Sequence, residues 1–455
     1  MFKYLKNNLD FIFIITPFFV FFYFWNLKLF SFDLRAIILI PFCYLIFNYK
    51  SLFYFKTKII TSLFFFLILT LQIYISKENV LILDIQKILF FLIIFFIISY
   101  TYKKILTNVD KIVNWYIFII CLFVSLGIIF LGKDSSFNIS CSLGWFSTNR
   151  FLYSENSHFG MTAVSTLIYL IVRTGNDFTK TNILFMLLFF IITLLFLSNS
   201  MLIGIIVSII FLLLTNYGLF SKKQFFLCII ALAIYSIFSV SLTSCKERNL
   251  DSLEFFFKKY IPNPAISNKV NFNFEKEKKN IVEEKNHAIK VQDNSIFKQN
   301  DLKLNLSSSV HANSILISFK TFNEHPFGVG FDQYKYAFSK YIHDTSKEFD
   351  IYVPTLLTKL NKQDASNNFA KLLTEFGLFN FIFICFFIIF SLSKKIPLIY
   401  KSFIIPSILS QLFFRSAGYY NAGFIILISL MVLLVLENYN FKKYIKMKLN
   451  YILKY

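Results

Sequence analysis

The chain has 455 residues, 56% of them hydrophobic and 20% aromatic, with a formal net charge of +21 and a mean hydropathy of +0.62. Its apolar residues are gathered into runs long enough to cross a hydrocarbon core of about 30 Å as helices, which sets aside a soluble protein. The positive charge does not point to nucleic acid, because the Lys and Arg lie mostly in short connections between the runs, where the positive-inside rule places them.

About twelve helical spans are predicted, at 11–25, 34–47, 59–75, 80–98, 113–131, 158–172, 183–197, 201–214, 225–240, 369–392, 396–413 and 422–436. The 63 Phe among them read as coding bias rather than chemistry. The first run continues into the pattern of spans and has no small-residue cleavage signature, so it is read as a retained helix. With the amino terminus inside, alternate connections carry Lys56 and Lys58, Lys103 and Lys104, Arg173 and Lys180, Lys222 and Lys223, and Lys394 and Lys395. Both termini are therefore expected in the cytoplasm. The expected fold is an all-α integral membrane protein with one large external loop between its ninth and tenth helices. Spans 1–9 fill 1–243, the loop 244–366, spans 10–12 367–440, and a basic cytoplasmic tail 441–455.

The loop has parts of its own. Residues 268–301 are rich in Lys, Glu and Asn with no apolar periodicity, the mark of a solvated, flexible stretch. Residues 307–341 are amphipathic and aromatic, and predict a helix lying on the membrane surface; a second ordered piece is expected beyond the turn at 325–330. Four of the six cysteines fall inside spans, and Cys141 and Cys245 on the external side are able to meet in a disulfide. No CxxC or HExxH spacing occurs, so no metal site is expected.

Ionisable groups in or at the ends of spans are costly and are the first candidates for function. Arg150, Glu155 and His158 lie at the start of the sixth span, Arg415 at the outer end of the eleventh, and Glu375 about two turns into the tenth, all on the expected external side. Glu155 and His158 are three residues apart, neighbours on a helix, and a carboxylate there orients an imidazole as a general base. A capped helix start with an interfacial His explains the same spacing, and snorkelling to head groups explains the arginines. The segment His325 to Gly330 is a tight Gly-containing turn; Ser366 or Asn367 is a plausible N-cap; and Arg415 to Tyr420 offers an anion-binding guanidinium beside aromatic rings.

The order of these motifs resembles the O-antigen polymerases (Wzy-type), which with the O-antigen ligases form a superfamily of polytopic membrane glycosyltransferases. Arg150 followed by Glu155-Asn156-Ser157-His158-Phe159-Gly160 is similar to the family's Arg and Glu-Pro-x-His-x-Ala, with Asn156 in place of Pro and Gly160 in place of Ala. Ser198-Asn199-Ser200 with Gly204 resembles its Ser-rich break. His325-Pro326-Phe327-Gly328-Val329-Gly330, Ser366-Asn367-Asn368 with Glu375-Phe376-Gly377, and Arg415-Ser416-Ala417-Gly418-Tyr419-Tyr420 resemble its later elements. Ligases typically carry a His beside the Asn where this chain has Ser366-Asn367-Asn368, which favours polymerase.

The resemblance implies polymerisation of undecaprenyl-diphosphate-linked oligosaccharide units into O-antigen or a related surface polysaccharide, at the periplasmic face of the bacterial inner membrane. It implies Arg415, with Arg150 or Arg248, on the diphosphate; His158 or His325, with Glu155, as base; and Asn368, Glu375, Tyr419 and Tyr420 at the substrate. No cofactor and no metal are expected, because the leaving group is already activated. The expected partners are the lipid-linked oligosaccharides, membrane lipids and a polysaccharide chain-length regulator. An O-antigen ligase, transferring finished glycan to lipid A core or protein, shares the fold. A flippase or other transporter, which makes no bond, is the alternative from another class.

Overall fold

A computed structural model describes residues 26–29, 32–35, most of 95–130, 156–241, 306–348 and 361–438 apart from 417 and 420–422. The first four expected spans, apart from 34–35 and a few helical residues at 95–98, lie outside the described residues, as do Cys141, Cys245 and the stretch 268–301.

The protein is mostly helical. One short antiparallel hairpin, β1 (Asn26–Leu29) with β2 (Phe32–Arg35), departs from the all-helical expectation and takes up the first two residues of the second apolar run. The helices that follow occupy the apolar runs: α1 Val109–Phe130, α2 Asn156–Asn176, α3 Lys180–Leu195, α4 Asn199–Asn216 and α5 Lys222–Ser241. Among the described residues of the polar insertion are α6 Leu306–Glu324 and α7 Tyr334–Glu348. Then come α8 Asn368–Phe376, α9 Asn380–Leu392, α10 Leu398–Leu409 and α11 Phe424–Asn438. A 3-10 turn at Gly377–Phe379 joins α8 to α9, and a π turn at Ser410–Phe414 extends α10. Among the described residues, two helical stretches are long and apolar enough to cross a membrane, Asn199–Leu219 (21 residues) and Asn368–Leu392 (25 residues).

Helix α2 is the centre of the packing, with α10, α3, α4 and α5 around it. Its residues from Phe159 to Val172 are all buried, yet several are hydroxylated. The hydroxyls are satisfied within the helix: Thr162 Oγ1 donates to Phe159 O at 3.1 Å and Ser165 Oγ to Thr162 O at 3.0 Å. Small side chains let neighbours approach closely. Gly160 lies against Met201, Gly204 against Ser410, and Ser407 Oγ of α10 donates to Met161 O of α2 at 2.9 Å.

The start of α2 thus meets the end of α10, while Tyr169 near its other end stacks edge-on with Phe403, so the two helices run antiparallel. A polar network ties the far end together. Arg173 donates to Asn182 Oδ1 (2.9 and 2.6 Å) and Asn114 Oδ1 (2.8 Å), and Gln224 Nε2 to Val172 O at 3.0 Å. Nearby, the buried Lys401 ammonium bonds Asn216 and the Ser391 carbonyl at the end of α9.

The outward faces of α3, α4, α5 and α9 are apolar. Leu184 is 65% exposed and Leu214 78%, with Ile191, Ile203, Phe226, Phe381 and Ile388 also open. Four helices presenting large aliphatic and aromatic side chains outward far exceed the scattered apolar surface normal in water.

Candidate functional site

The site is built at the end of α2 that carries His158, from three irregular segments. The first is the turn His325–Gly330, which follows α6. Helix α8 leaves its last carbonyls without intrahelical donors. The turn supplies two of them: Val329 N donates to Thr374 O at 3.0 Å and Gly330 N to Glu375 O at 3.1 Å, while Leu378 N returns a bond to Pro326 O at 2.8 Å. The approach is so close that only glycine fits. A Cβ on Gly328 (φ +84) would collide with the Glu375 carbonyl, and one on Gly377 (φ +53) with the Pro326 carbonyl. Gly377→Ala is therefore expected to cost more than the roughly 1 kcal/mol of a positive-φ alanine alone. Thermal unfolding of the purified variant at the wild-type midpoint would count against this docking.

Behind the turn lies a buried charge cluster. Lys371 and Glu375, one turn apart on α8, are 1% and 0% exposed, with Lys371 Nζ 3.6 Å from Glu375 Oε1. The same ammonium is 3.4 Å from Asp332 Oδ1 and 3.7 Å from Asp364 Oδ1, donates to Gln363 O at 2.6 Å, and lies 5.2 Å from the centre of the Tyr419 ring. One cation thus faces three carboxylates. Glu375 is also hydrogen-bonded: Tyr334 N, at the start of α7, donates to Oε1 at 3.2 Å, and the Tyr419 hydroxyl donates to Oε2 at 2.7 Å. The N-terminus of α7, with its partial positive charge, offsets part of the excess. The cluster joins α7, α8, the 361–366 turn and the loop after α10.

The third segment is that loop. The π turn ends with Arg415 N donating to Ser410 O at 3.0 Å, and the chain then runs along the start of α8. Ser416 N donates to Ser366 O at 2.9 Å and the Ser416 hydroxyl to Asn368 Oδ1. Asn367 is the N-cap of α8, its Oδ1 accepting from Ala370 N at 2.8 Å. Arg415, partly exposed, reaches the start of α2, where its Nη2 lies 3.4 Å from His158 Nε2. On the other side, His311 of α6 has its Nδ1 3.1 Å from Ser366 Oγ and 3.4 Å from Asn367 Nδ2. Burial, helped by the positive charge of Arg415, pushes the His311 imidazole down to about 4, so the ring is neutral at pH 7.

That shift sets a pH window. Between an unfolded-state value of 6.5 and about 4, the unfolded chain binds a proton at His311 that the folded one does not. Stability is complete above the window and is lost as pH falls through it. Wild type should therefore lose more stability than His311→Gln on acidification from about 6.5 to about 4; equal losses in the two proteins would show that His311 is not neutral in the fold.

Of the residues singled out in sequence, His158, Arg415 and Asn368 come together here. Glu375 and Tyr419 are in the adjoining cluster, buried and bonded to each other, and Tyr419 stacks on Phe331 and Phe424. That makes it a packed core tyrosine rather than an open platform for a sugar. His325 is exposed on the turn, and its backbone closes the turn through Gly328 N. Glu155, Arg150, Arg248 and Tyr420 lie outside the described residues. Sequence reading passed over His311, Lys371 and Asp332. Lys371 had a visible signal, a cation four residues before a carboxylate at the start of an apolar run. His311 had only its place on the amphipathic stretch.

No protein family, curated protein or solved structure matches this chain.

Proposed function

We propose that the chain is a polytopic glycosyltransferase of the bacterial inner membrane that polymerises undecaprenyl-diphosphate-linked oligosaccharide units at the periplasmic face, as an O-antigen polymerase does. The apolar outward faces of α3, α4, α5 and α9 support a lipid-embedded bundle. The observation that carries the activity is the meeting of Arg415, His158 and the capped start of α8 at one end of that bundle. A guanidinium beside a helix N-terminus suits a diphosphate, and an imidazole within reach suits proton transfer.

In this reading the acceptor sugar hydroxyl attacks the anomeric carbon of the donor unit. A new C–O bond forms as the bond to the diphosphate breaks, and the lipid diphosphate departs with its charge held by Arg415. Arginine only donates, so His158 Nε2 is the acceptor where the two side chains meet. A bound diphosphate draws the guanidinium away and frees Nε2 to take the hydroxyl proton. Glu155, three residues before His158, is assigned the orienting role.

The test is reconstitution of the purified chain in liposomes with lipid-linked repeat units. Longer lipid-linked glycans are expected. Units that cross the bilayer with no new glycosidic bond would make the protein a transporter and overturn the reading.

A further inference from the structure

We infer that His311 is a second ligand-binding residue of this site, a hydrogen-bond donor that presents Nε2–H to a phosphate oxygen beside Arg415. The inference rests on the reading of the site as one for a diphosphate, and names a residue that reading did not include.

The N-cap of α8 fixes the hydrogen-bond directions around the ring. Asn367 Oδ1 is committed to the backbone N–H of Ala370 at 2.8 Å, so the amide cannot be flipped without leaving that helix donor unmet. Its Nδ2, a donor only, then points at Ser366 Oγ (3.3 Å) and His311 Nδ1 (3.4 Å). The Ser366 oxygen accepts from Asn367, which turns the Ser366 proton toward His311 Nδ1 at 3.1 Å. Two donors converge on Nδ1, so Nδ1 is the acceptor and the single proton of the neutral ring sits on Nε2. A proton on Nδ1 would face the amide NH2, donor against donor.

The ring is held from the protein side only. Nδ1 faces the start of α8, and Nε2, across the ring, has no hydrogen-bond partner among the described residues. Ser366, which fixes His311, also accepts from Ser416 N, the residue after Arg415, so imidazole and guanidinium are mounted on one support. The two imidazoles near Arg415 carry opposite tautomers. His158 Nε2 accepts, and is fit to take a proton. His311 Nε2 already carries one, and is fit to hold an anion.

The chemistry recognised is an oxyanion of the phosphate class, either the head group of a polyprenyl diphosphate or a free phosphate. The experiment uses the full chain in lipid nanodiscs and titrates undecaprenyl diphosphate and, separately, inorganic pyrophosphate. In His311→Gln the side-chain amide supplies an N–H where Nε2–H stood; His311→Phe keeps the ring and has no donor. Undecaprenyl diphosphate affinity is expected to fall about tenfold or more in His311→Phe, as for loss of a hydrogen bond to a charged group, and by less than about threefold in His311→Gln. If the Phe variant does not fold, His311→Asn, which keeps an amide facing Ser366 but lacks the outward donor, replaces it with the same expected loss. Binding of the lipid without binding of pyrophosphate assigns the site to the head group; equal binding assigns it to the free anion. The proposal is overturned by wild-type affinity in the donor-free variant, by a Gln variant as weak as Phe, or by a wild-type protein that binds neither probe. The expected pattern in a protein that makes no polymer would overturn the polymerase reading and leave this role of His311 standing.

Discussion

Replacing Lys371 with methionine is expected to destabilise the protein by about 3–5 kcal/mol, the cost of stripping the partner from a buried charge. Methionine fills nearly the same space, so packing alone predicts little change. What it cannot supply is the positive charge facing Glu375, Asp332 and Asp364, nor the bond to the Gln363 carbonyl. The loss should be partly recovered in Lys371→Met with Glu375→Gln, because one of the orphaned carboxylates is then neutral while the amide oxygen still accepts from Tyr334 N or Tyr419. Denaturant unfolding of the single and double variants in detergent checks this. A single-variant loss below about 1 kcal/mol, or a double variant worse than the sum of its parts, would mean the cluster is not held by this ammonium.

Arg415→Ala is expected to lower turnover by about 10²–10³-fold, the range for removing one preorganised donor from a site of developing negative charge. Arg415→Lys should fall between, since it keeps the charge but not the two-pronged geometry that spans a diphosphate. Stability should change far less, because Arg415 is partly exposed rather than sealed in the core. Single-turnover polymerisation with lipid-linked units separates the effects. An alanine variant with unaltered turnover would remove Arg415 from the leaving-group role.

The helices were readable because apolar runs of fixed length admit few other structures; α3, α4, α5, α9, α10 and α11 occupy those runs. The N-cap was legible to within one residue: Ser366 or Asn367 ahead of an apolar stretch was the candidate, and Asn367 fills the position. Less legible was the site. His311 and Ser366 are 55 residues apart in the chain, and Asp332 and Lys371 39 apart. Their meeting depends on the turn at 325–330 lying across the end of α8, backbone against backbone at Gly328 and Gly377. Two glycine motifs are visible in the sequence, but nothing local says that they pack on each other. Glu375 is the instructive case. A carboxylate in an apolar run must find a partner, which the sequence implies, but whether that partner is a substrate or Lys371 and Tyr419 is decided by tertiary structure alone.

The central claim, that this chain extends a lipid-linked glycan, is tested most directly in its native host, by a gel of surface glycolipids with analysis of undecaprenyl-linked glycans, with and without the gene. Deletion is expected to collapse the ladder to lipid core bearing a single repeat unit, and an Arg415→Ala allele to do nearly the same. An unchanged ladder would contradict it, and polymer stranded on undecaprenyl diphosphate with none on the core would make the protein a ligase instead.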